Sequence, residues 1–492
     1  MRLRGYLPEL LVFAVAVMTR ALVVARSAGF DASYGYDQSV YYAASASLLH
    51  GRTPYADFTL LHPPVVMLAL LPAALLGHWT SDHIGYVVGN VSFGVIGALD
   101  AVLVVLIARR LGLRRSAALA GGLLYAVWFT AAGAEYSARL EPLGNFFLLL
   151  GLLLLVSTLD RPRAGRLLLT AGALLGVAAS VKIWFVVPLA VAVGWLLAAP
   201  GRRARAAHVA AGALAAGVLI DVPFLIASRG EMWTMVVSAQ LGRDTAGRPV
   251  GLRLADLTTG AWPPPDTAPA VVIGAAAATA LLIALLVLAW RVRPARLVVI
   301  MAVAAVGTLL LAPAWFQQYP DFAAGPVAVC AAAAATALPA RLRLAQWVPV
   351  LGAGTVTLAV LVAGDFPATR AWGPDRLAAA AQQARCVTSD TPAGLIALDV
   401  LDEDLGHGCP EPVDVLGRSL LTEVDGKRVS YTDNPQWQRD VAVYLRSGDL
   451  AYPYVLGRPL SPRTLAALRR GGIVARYRDA SGRRFTLYRV DH

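Results

Sequence analysis

Lysine is almost absent from this sequence of 492 residues, and charged residues of every kind are few. Only Lys182 and Lys427 are lysines, and charged residues make up 15% of the chain against 57% hydrophobic residues. Together with a mean hydropathy of +0.60, this composition excludes a soluble globular protein. The net charge of +12 comes from short arginine clusters between apolar segments, as in membrane proteins, so we expect membrane lipids and no nucleic acid as partners.

Apolar segments long enough to cross a membrane, which takes about 20 residues, recur along the first 364 residues. The segment 167–199 is too long for one helix, and Val181-Lys182 interrupts it, so we predict two short helices there and eleven spans in all. The remaining predicted spans are 8–26, 86–108, 116–133, 142–159, 206–227, 269–290, 297–313, 323–338 and 345–363. The fold class is therefore an α-helical polytopic membrane protein.

The arginine clusters also predict the side of the membrane on which each loop lies. By the positive-inside rule the N-terminus and the loops with clusters are cytoplasmic, as in 109–115 and 291–296. All these arginine clusters can be cytoplasmic only if the apolar segment Pro63–Trp79 does not cross the membrane, but lies along it or dips in and returns. We therefore predict a plasma-membrane protein with one long external loop, residues 27–85.

The same count of membrane crossings places the C-terminal part of the chain outside. The amino-acid composition of this part also differs from that of the apolar segments before it. Residues 365–492 predict a small extracytoplasmic α/β domain after a transmembrane module of residues 1–364. Cys386 and Cys409 are its only cysteines, and we predict that they pair because disulfides persist outside the cytoplasm. Cys330, the third cysteine, falls within a span and is expected to be a small packing residue. Short alternating runs in this domain are Leu395–Val400, Val413–Leu416 and Arg484–Val490.

Ionisable residues at the ends of predicted helices are the first candidates for a site. Asp37 follows the first span and precedes an amphipathic stretch that ends at Leu49. An ionisable group in such a place is a functional hypothesis, and a helix N-cap is the alternative. Asp57 and His62 lie later in the same loop, with a structural role in a turn as their alternative.

Lys182 is a second candidate, because a lone lysine between two short helices needs an anionic partner or must reach the interface. Glu141 either pairs with Lys182 or binds substrate. Arg139 and Arg243 are further candidates, since a guanidinium holds an anion with two hydrogen bonds, and solvated loop charges are their alternative. Aromatic side chains that either bind substrate or anchor the interface are Trp262, Trp315, Phe316 and Tyr319.

The order of these elements resembles the GT-C superfamily of membrane glycosyltransferases, with the protein O-mannosyltransferase and aminoarabinose-transferase branch most alike. Its members have an acid after the first helix, an amphipathic helix ending in a Gly-x-x-Pro-like turn, and Lys-Pro-Pro or a variant. The corresponding residues here are Asp37, Gly51-Arg52-Thr53-Pro54 and His62-Pro63-Pro64. Downstream, Arg139-Leu140-Glu141-Pro142 resembles the acidic-Pro pair, and Ser180-Val181-Lys182 a small-residue run ending in lysine.

The resemblance implies a polyprenyl-phosphate-linked sugar donor, with arabinose or mannose as the sugar. The acceptor would be an envelope glycan, lipid or protein on the outer face. Asp37 would act as the base, and one carboxylate suffices for an inverting transfer. The donor phosphate would contact Lys182, His62, Arg139 and Arg243, and the substrate would contact Glu141, Asp57, Gln318 and Tyr319. Many relatives have a second acid where Gln38 stands, so we expect no required cofactor, with a divalent cation as the alternative.

Two other classes of function remain open. A lipid or polysaccharide flippase or transporter needs polar groups at mid-membrane, and Asp100 and Asp221 lie inside or near the edge of predicted spans. A non-catalytic envelope scaffold, whose tail binds a partner, differs from a transferase only in activity.

Overall fold

A computed structural model describes residues 6–27, 35–158, 164–241, 243, 248–260, 269–364, 375–424, 429, 431–454, 460–478 and 484–491. Within these residues the chain is mostly helical and contains one small sheet. The predicted α-helical polytopic fold is confirmed. Trp262 lies outside the described residues.

Among the described residues, seventeen α-helices precede the C-terminal part of the chain. Their bounds are α1 Leu7–Arg26, α2 Tyr36–Leu49, α3 Val65–Trp79, α4 Asp82–Arg110, α5 Arg115–Val127, α6 Phe129–Glu135, α7 Leu140–Thr158, α8 Gly165–Ala179, α9 Val186–Ala198, α10 Arg203–Ala227, α11 Glu231–Trp233, α12 Ala239–Leu241, α13 Val250–Thr259, α14 Pro269–Trp290, α15 Arg296–Leu311, α16 Ala324–Ala337 and α17 Val348–Ala363. A π-helical turn, Thr234–Ser238, joins α11 to α12.

The long apolar helices make this a multi-pass membrane protein. Among the described residues, 8 helices are long and apolar enough to cross a membrane, and the bent pair α5 and α6 raises the number to 9 if it is one span. The helices α8 and α9 are shorter, at 15 and 13 residues. The count of eleven spans therefore stays a prediction.

The predicted interruption at Val181-Lys182 coincides with the end of α8. The helix stops at Ala179, Lys182 has an extended backbone with φ −149° and ψ 127°, and a 3₁₀ turn, Ile183–Phe185, leads into α9. The break places the one charged side chain of this apolar stretch outside a regular helix.

The chain divides into two compact units. The first, here called the bundle unit, comprises residues 1–23, 92–220 and 245–365, and the second, the loop–tail unit, comprises residues 24–91, 221–244 and 366–492. The division into domains 1–364 and 365–492 stays a prediction.

Small residues allow the helices of the bundle unit to approach closely. A Cβ atom on Gly176 of α8 would lie 2.6 Å from the carbonyl oxygen of Ala213 in α10, so only glycine fits there. Close approach of this kind is how membrane helices gain packing energy without a hydrophobic driving force. Helices α7 and α8 pack together, as do α5 and α16, around a core of Leu, Val and Ala.

Helix α2, in the loop–tail unit, is less exposed than predicted. We predicted an amphipathic stretch, but every residue from Gln38 to Ser47 is buried, so that prediction is wrong. The reason is that α2 packs against both α3 and the C-terminal part of the chain. Two of its serine hydroxyl groups have partners nearby: Ser39 Oγ donates to the carbonyl oxygen of Tyr36 at 2.7 Å, and Ser45 Oγ donates to that of Met67 at 2.7 Å.

The C-terminal part of the loop–tail unit is a small α/β structure. Its sheet has the order β1-β2-β4-β3, with β1 and β2 parallel and the other pairs antiparallel. The bounds are α18 Asp375–Ala381, β1 Val387–Ser389, α19 Pro392–Leu398, α20 Leu401–Gly406, α21 Pro435–Leu445, β2 Leu450–Tyr452, α22 Pro462–Arg470, β3 Ile473–Arg478 and β4 Arg484–Arg489. Cys386 and Cys409 form a disulfide with their Cα atoms 5.6 Å apart.

Only one of the three alternating runs in this domain is a strand. Arg484–Arg489 pairs in the sheet, whereas Pro392–Leu398 is a helix. The side chain of Thr391 caps that helix by accepting a hydrogen bond from the backbone N–H of Ala393, and Pro392 occupies its first position. A capping threonine followed by proline is an ordinary signal of a helix start. Here this signal outweighs the alternation of apolar and other residues in Leu395–Val400.

Candidate active site

Asp37 lies in the first turn of α2. Gly35, with extended backbone at φ −62° and ψ 144°, is the N-cap residue, so the alternative role of Asp37 as N-cap is wrong. A carboxylate in the first turn is stabilised by the helix dipole. The side chain is half-buried, which leaves part of it open to a reactant.

Tyr36 ties the start of α2 to the C-terminal part of the same unit. Its hydroxyl group donates to Asp414 Oδ1 at 2.6 Å and accepts from the backbone N–H of Leu416 at 2.8 Å. Gly417 N–H donates to the same Asp414 oxygen at 2.8 Å. Burial raises the pKa of Asp414, and the neighbouring charge of Asp37 raises it further. Two carboxyl groups therefore lie within electrostatic range of each other at this end of α2.

Arg243 supplies positive charge to the same place. Its guanidinium lowers the pKa of Asp414, and the side chain is half-buried. The segment that precedes it is held by Gln240, whose Nε2 donates to the carbonyl oxygen of Leu61 at 2.7 Å. Sequence reasoning named Arg243 only as a second choice, because nothing local shows that its loop returns to the first one.

His62 lies close to the same face of α2. Its ring packs edge-on against Tyr41 at a centroid distance of 5.8 Å, and Tyr41 lies one helical turn after Asp37. The hydroxyl group of Tyr55 donates to the carbonyl oxygen of His62 at 2.8 Å. The structure thus brings His62 and Asp37 towards one side of α2.

Asp57 has different surroundings. It is exposed, and its Oδ2 accepts a hydrogen bond of 2.6 Å from the backbone N–H of Thr53. This contact closes the turn after Gly51 and matches the structural alternative for Asp57. Its assignment to substrate binding stays a prediction.

Lys182 and Glu141 form a buried ion pair in the bundle unit. Lys182 Nζ donates to Glu141 Oε1 at 2.6 Å, and the two side chains are 6% and 2% exposed. The ammonium group also lies 4.1 Å from the ring centroid of Trp184 and 4.0 Å from that of Tyr319. Cation–π contacts of this kind stabilise a cation that has lost its water. Lys182 is therefore already paired, and a phosphate would have to displace Glu141.

The other predicted residues of the bundle unit are held by local contacts. Arg139 Nη1 donates to the carbonyl oxygen of Gly133 at 3.2 Å, and its guanidinium lies 5.4 Å from the ring centroid of Tyr136. Gln318 is half-buried at the start of the 3₁₀ turn Tyr319–Ala323. None of these contacts tests the predicted roles of Arg139 and Gln318 in substrate binding.

Trp315 is a structural residue rather than an interface anchor. It is buried, and its Nε1 donates to Asp256 Oδ2 at 2.8 Å. Arg248 holds the same carboxylate with two hydrogen bonds, of 2.8 Å and 2.5 Å. This network fixes α13 in the bundle unit. Phe316, by contrast, is exposed.

A buried cluster around Glu135 was not foreseen from the sequence. Arg20 pairs with Glu135, and the hydroxyl group of Tyr125 donates to Glu135 Oε1 at 2.5 Å. A Cβ atom on Gly97 would lie 2.6 Å from the Cβ atom of Glu135, so this position requires glycine. The signal in the sequence was Arg20 within an apolar helix, which predicts an acidic partner but not its identity.

A divalent cation at Asp37 was the alternative to a metal-independent site. Within the part of the chain that the structure describes, one group of three His, Cys, Asp or Glu side chains brings its ligand atoms within 4.8 Å of one another, and Asp37 does not belong to it. Gln38, where many relatives have an acid, is buried. The independence of the site from metal ions stays a prediction.

The complete fold is similar to those of two solved membrane proteins. ArnT from Cupriavidus metallidurans, bound to undecaprenyl phosphate, is 15% identical, with 97% of each chain covered and a TM-score of 0.58. The oligosaccharyltransferase AglB from Archaeoglobus fulgidus, in complex with an inhibitory peptide and a dolichol-phosphate, is 14% identical, with 99% of this chain and 74% of that chain covered and a TM-score of 0.54.

The chain shares its fold with these proteins. At such low identities the likeness shows the fold alone, and no protein-family model and no curated protein sequence matches the chain. The shared fold agrees with the GT-C resemblance drawn from Asp37, His62-Pro63-Pro64 and Glu141-Pro142, whose order along the chain was the basis of the expectation.

Proposed function

We propose that this protein is an inverting glycosyltransferase that moves a sugar from a polyprenyl phosphate to an acceptor hydroxyl group at the outer face of the membrane. The observation that carries the proposal is the half-buried Asp37 carboxylate in the first turn of α2, which lies within electrostatic range of Asp414, a carboxyl group that Arg243 also influences. The GT-C fold supports the same class of reaction.

In the proposed reaction Asp37 is the general base. The acceptor oxygen attacks C1 of the sugar while its proton passes to the Asp37 carboxylate, and the bond between C1 and the phosphate oxygen breaks. The polyprenyl phosphate leaves with the bonding electrons. Because the attack comes from the side opposite the leaving group, one carboxylate is enough and the anomeric configuration inverts.

The leaving phosphate gains negative charge in the transition state and needs cations. Arg243 is the first candidate, because a guanidinium binds two phosphate oxygens at once and lies in the same unit as Asp37. His62 is the second, from its place near Tyr41 on α2. Lys182 and Arg139 stay proposals, and for Lys182 the ion pair with Glu141 would have to open.

The donor and acceptor classes rest partly on the two similar proteins. One was solved with undecaprenyl phosphate and the other with a dolichol-phosphate and a peptide, which supports a polyprenyl-phosphate donor here. Arabinose or mannose as the sugar, and an envelope glycan, lipid or protein as the acceptor, are the finer proposals.

The test is transfer of labelled sugar by the purified protein in lipid nanodiscs. A panel of polyprenyl phosphates carrying arabinose, mannose or glucose serves as donor, and an envelope extract serves as acceptor. We expect transfer from one donor class, which also names the sugar. Absence of transfer from every donor, with donor binding demonstrated, would contradict the proposal.

A transporter is the second candidate, and a cluster of acids in the bundle unit favours it. Asp100 and Asp321 are fully buried, and their carboxyl groups lie within electrostatic range of Glu135. Ionisable groups of this kind often mark transport pathways. Movement of a labelled polyprenyl-phosphate sugar across proteoliposomes, without transfer, would favour this candidate.

A further inference from the structure

Two histidines and one aspartate of the loop–tail unit come together away from Asp37. His50 follows the last residue of α2, His78 lies in the last turn of α3, and Asp402 lies in the first turn of α20. Their ligand atoms all lie within 4.8 Å of one another, and within the described ranges no other group of His, Cys, Asp or Glu meets this criterion. We propose that His50, His78 and Asp402 bind a zinc ion that joins the first loop to the C-terminal domain.

The distances fit a metal site with little movement. His50 Nε2 lies 2.8 Å from Asp402 Oδ1, and His78 Nδ1 lies 2.9 Å from Asp402 Oδ2. Ligand atoms about 2.1 Å from a tetrahedral zinc ion lie about 3.4 Å apart. Each histidine nitrogen therefore needs to move away from its carboxylate oxygen by only about 0.5 Å, and the two histidine nitrogens already lie within 4.8 Å of each other.

The types of ligand indicate which metal ion is bound. Two imidazoles and one carboxylate suit zinc and its neighbours among the transition metals, whereas calcium and magnesium prefer oxygen ligands alone. Three protein ligands leave a fourth position for water. The His78 side chain is 47% exposed, so solvent reaches the cluster and an ion has a path to it.

The backbone around Asp402 is fixed without a metal ion. The backbone N–H of Asp402 donates to Asp82 Oδ2 at 3.1 Å, and the N–H of Asp82 donates to Asp399 Oδ1 at 2.7 Å. These two bonds hold the start of α20 to the start of α4. A site whose backbone is already in place loses little conformational entropy when the ion binds.

The local charge also favours a dication. Asp399 and Glu403 lie close to Asp402 in the sequence, and no residue from 399 to 404 is basic. Without an ion, the Asp402 carboxylate has only the two imidazoles as hydrogen-bond donors from the cluster, and a dication would offset the surplus of negative charge.

The role of the ion is structural. Asp37 and His50 lie at opposite ends of α2, about 20 Å apart along the helix axis at 1.5 Å per residue. An ion at His50 is therefore too far away to act on a reactant at Asp37. It would instead fasten the ends of α2 and α3 to α20.

The test measures zinc directly on the full-length protein, purified with a tag that contains no histidine and stripped with a chelator. After incubation with zinc and dialysis, we expect about one zinc ion per chain by elemental mass spectrometry. Asp402→Asn, His50→Ala and His78→Ala should each weaken binding by at least about 100-fold, more than the loss of an outer-shell partner. The control His208→Ala, in α10, should keep the zinc.

Two further measurements on the wild type do not depend on the folding of a variant. Cobalt should give the visible absorption of a tetrahedral site, and zinc should raise the temperature of unfolding in proportion to the logarithm of its concentration. Absence of zinc and of both signatures in the wild type would overturn the proposal. Zinc retained when all three residues are replaced would overturn it equally, and a simple hydrogen-bonded triad would remain.

Discussion

Asp37 and Lys182 both lie at the end of a helix, but their surroundings differ. Asp37 is half-buried and lies within electrostatic range of Asp414, a carboxyl group that Arg243 also influences. Lys182 is buried and already neutralised by Glu141, between the rings of Trp184 and Tyr319. A partly open carboxylate near a second acid is suited to take up a proton, whereas a buried and satisfied ammonium is suited to hold a structure together. A charged residue at a helix end is therefore a candidate base in one case and part of a structural ion pair in the other.

The largest expected effect concerns Asp37. Because a general base contributes a factor of about 10² to 10⁴ in rate, Asp37→Asn should lower transfer by roughly 10³-fold while donor binding stays within a few-fold. Asp440→Asn is the matched control, since Asp440 is exposed on α21, accepts a hydrogen bond from Gln436 Nε2 of the same helix at 2.9 Å, and should keep full activity when replaced. Equal losses in the two variants, or loss of folded protein with Asp37→Asn, would remove the contrast between them.

Lys182→Met should mainly destabilise the protein. It leaves the Glu141 carboxylate buried without its cation, which costs about 3 to 5 kcal/mol, and thermal unfolding in detergent should show the loss. The double variant Lys182→Met with Glu141→Gln should recover much of it, because no charge is then buried. If Lys182→Met instead keeps its stability and loses donor binding, Lys182 contacts the donor phosphate. Its role would then not be structural, and the contrast drawn with Asp37 would be wrong.

The disulfide is expected to have the next largest effect. Replacing Cys386 and Cys409 with serine opens a loop of 23 residues and should lower the stability of the C-terminal domain by about 3 kcal/mol. Cys330→Ala is the control, because Cys330 is a buried free thiol. Mass mapping of non-reduced peptides should find Cys386 linked to Cys409, and free thiols there would contradict both the pairing and the external location.

The last effect, of at most about 1.4 kcal/mol per pH unit, is a pH dependence in the C-terminal part of the chain. Burial raises the pKa of Glu411 from 4.5 to about 7, so the folded state binds a proton that the unfolded state releases. This contribution to stability is complete below about pH 4.5 and is lost as the pH rises through about 7, with a slope of at most about 1.4 kcal/mol per pH unit.

Glu411→Gln should remove that slope and leave the contribution of Asp404, whose pKa burial raises to about 8. Hydrogen exchange of the backbone N–H of Val413, which donates to Glu411 Oε1 at 2.7 Å, reports on this contact. An identical pH profile in the wild type and the variant would show that Glu411 does not titrate in this range.

Much of the fold could be predicted from composition and spacing. The break at Lys182 follows from one charge in a long apolar run, and the short helix α3 from the prolines before it. The strand β1 could not be predicted in the same way, because Val387–Ser389 is short and its place depends on Leu450–Tyr452, sixty residues later. Pairing between distant segments leaves no local pattern.

The candidate site shows the same limit. The position of Asp37 after the first span pointed to it, but Asp414 and Tyr36 join through a contact between residues nearly four hundred positions apart. Glu141 was named with two alternative partners, and only the structure shows the ion pair with Lys182. Helix-end position identifies which charged residues need a partner, while the partner itself depends on the tertiary fold.

The most direct test of the central claim follows one turnover with a donor of defined anomeric configuration and determines the linkage in the product by NMR. We expect a glycosidic bond of inverted configuration, formed by the wild type and not by Asp37→Asn under the same conditions. A product of retained configuration, or equal single-turnover rates for both proteins, would contradict a single-carboxylate mechanism with Asp37 as the base.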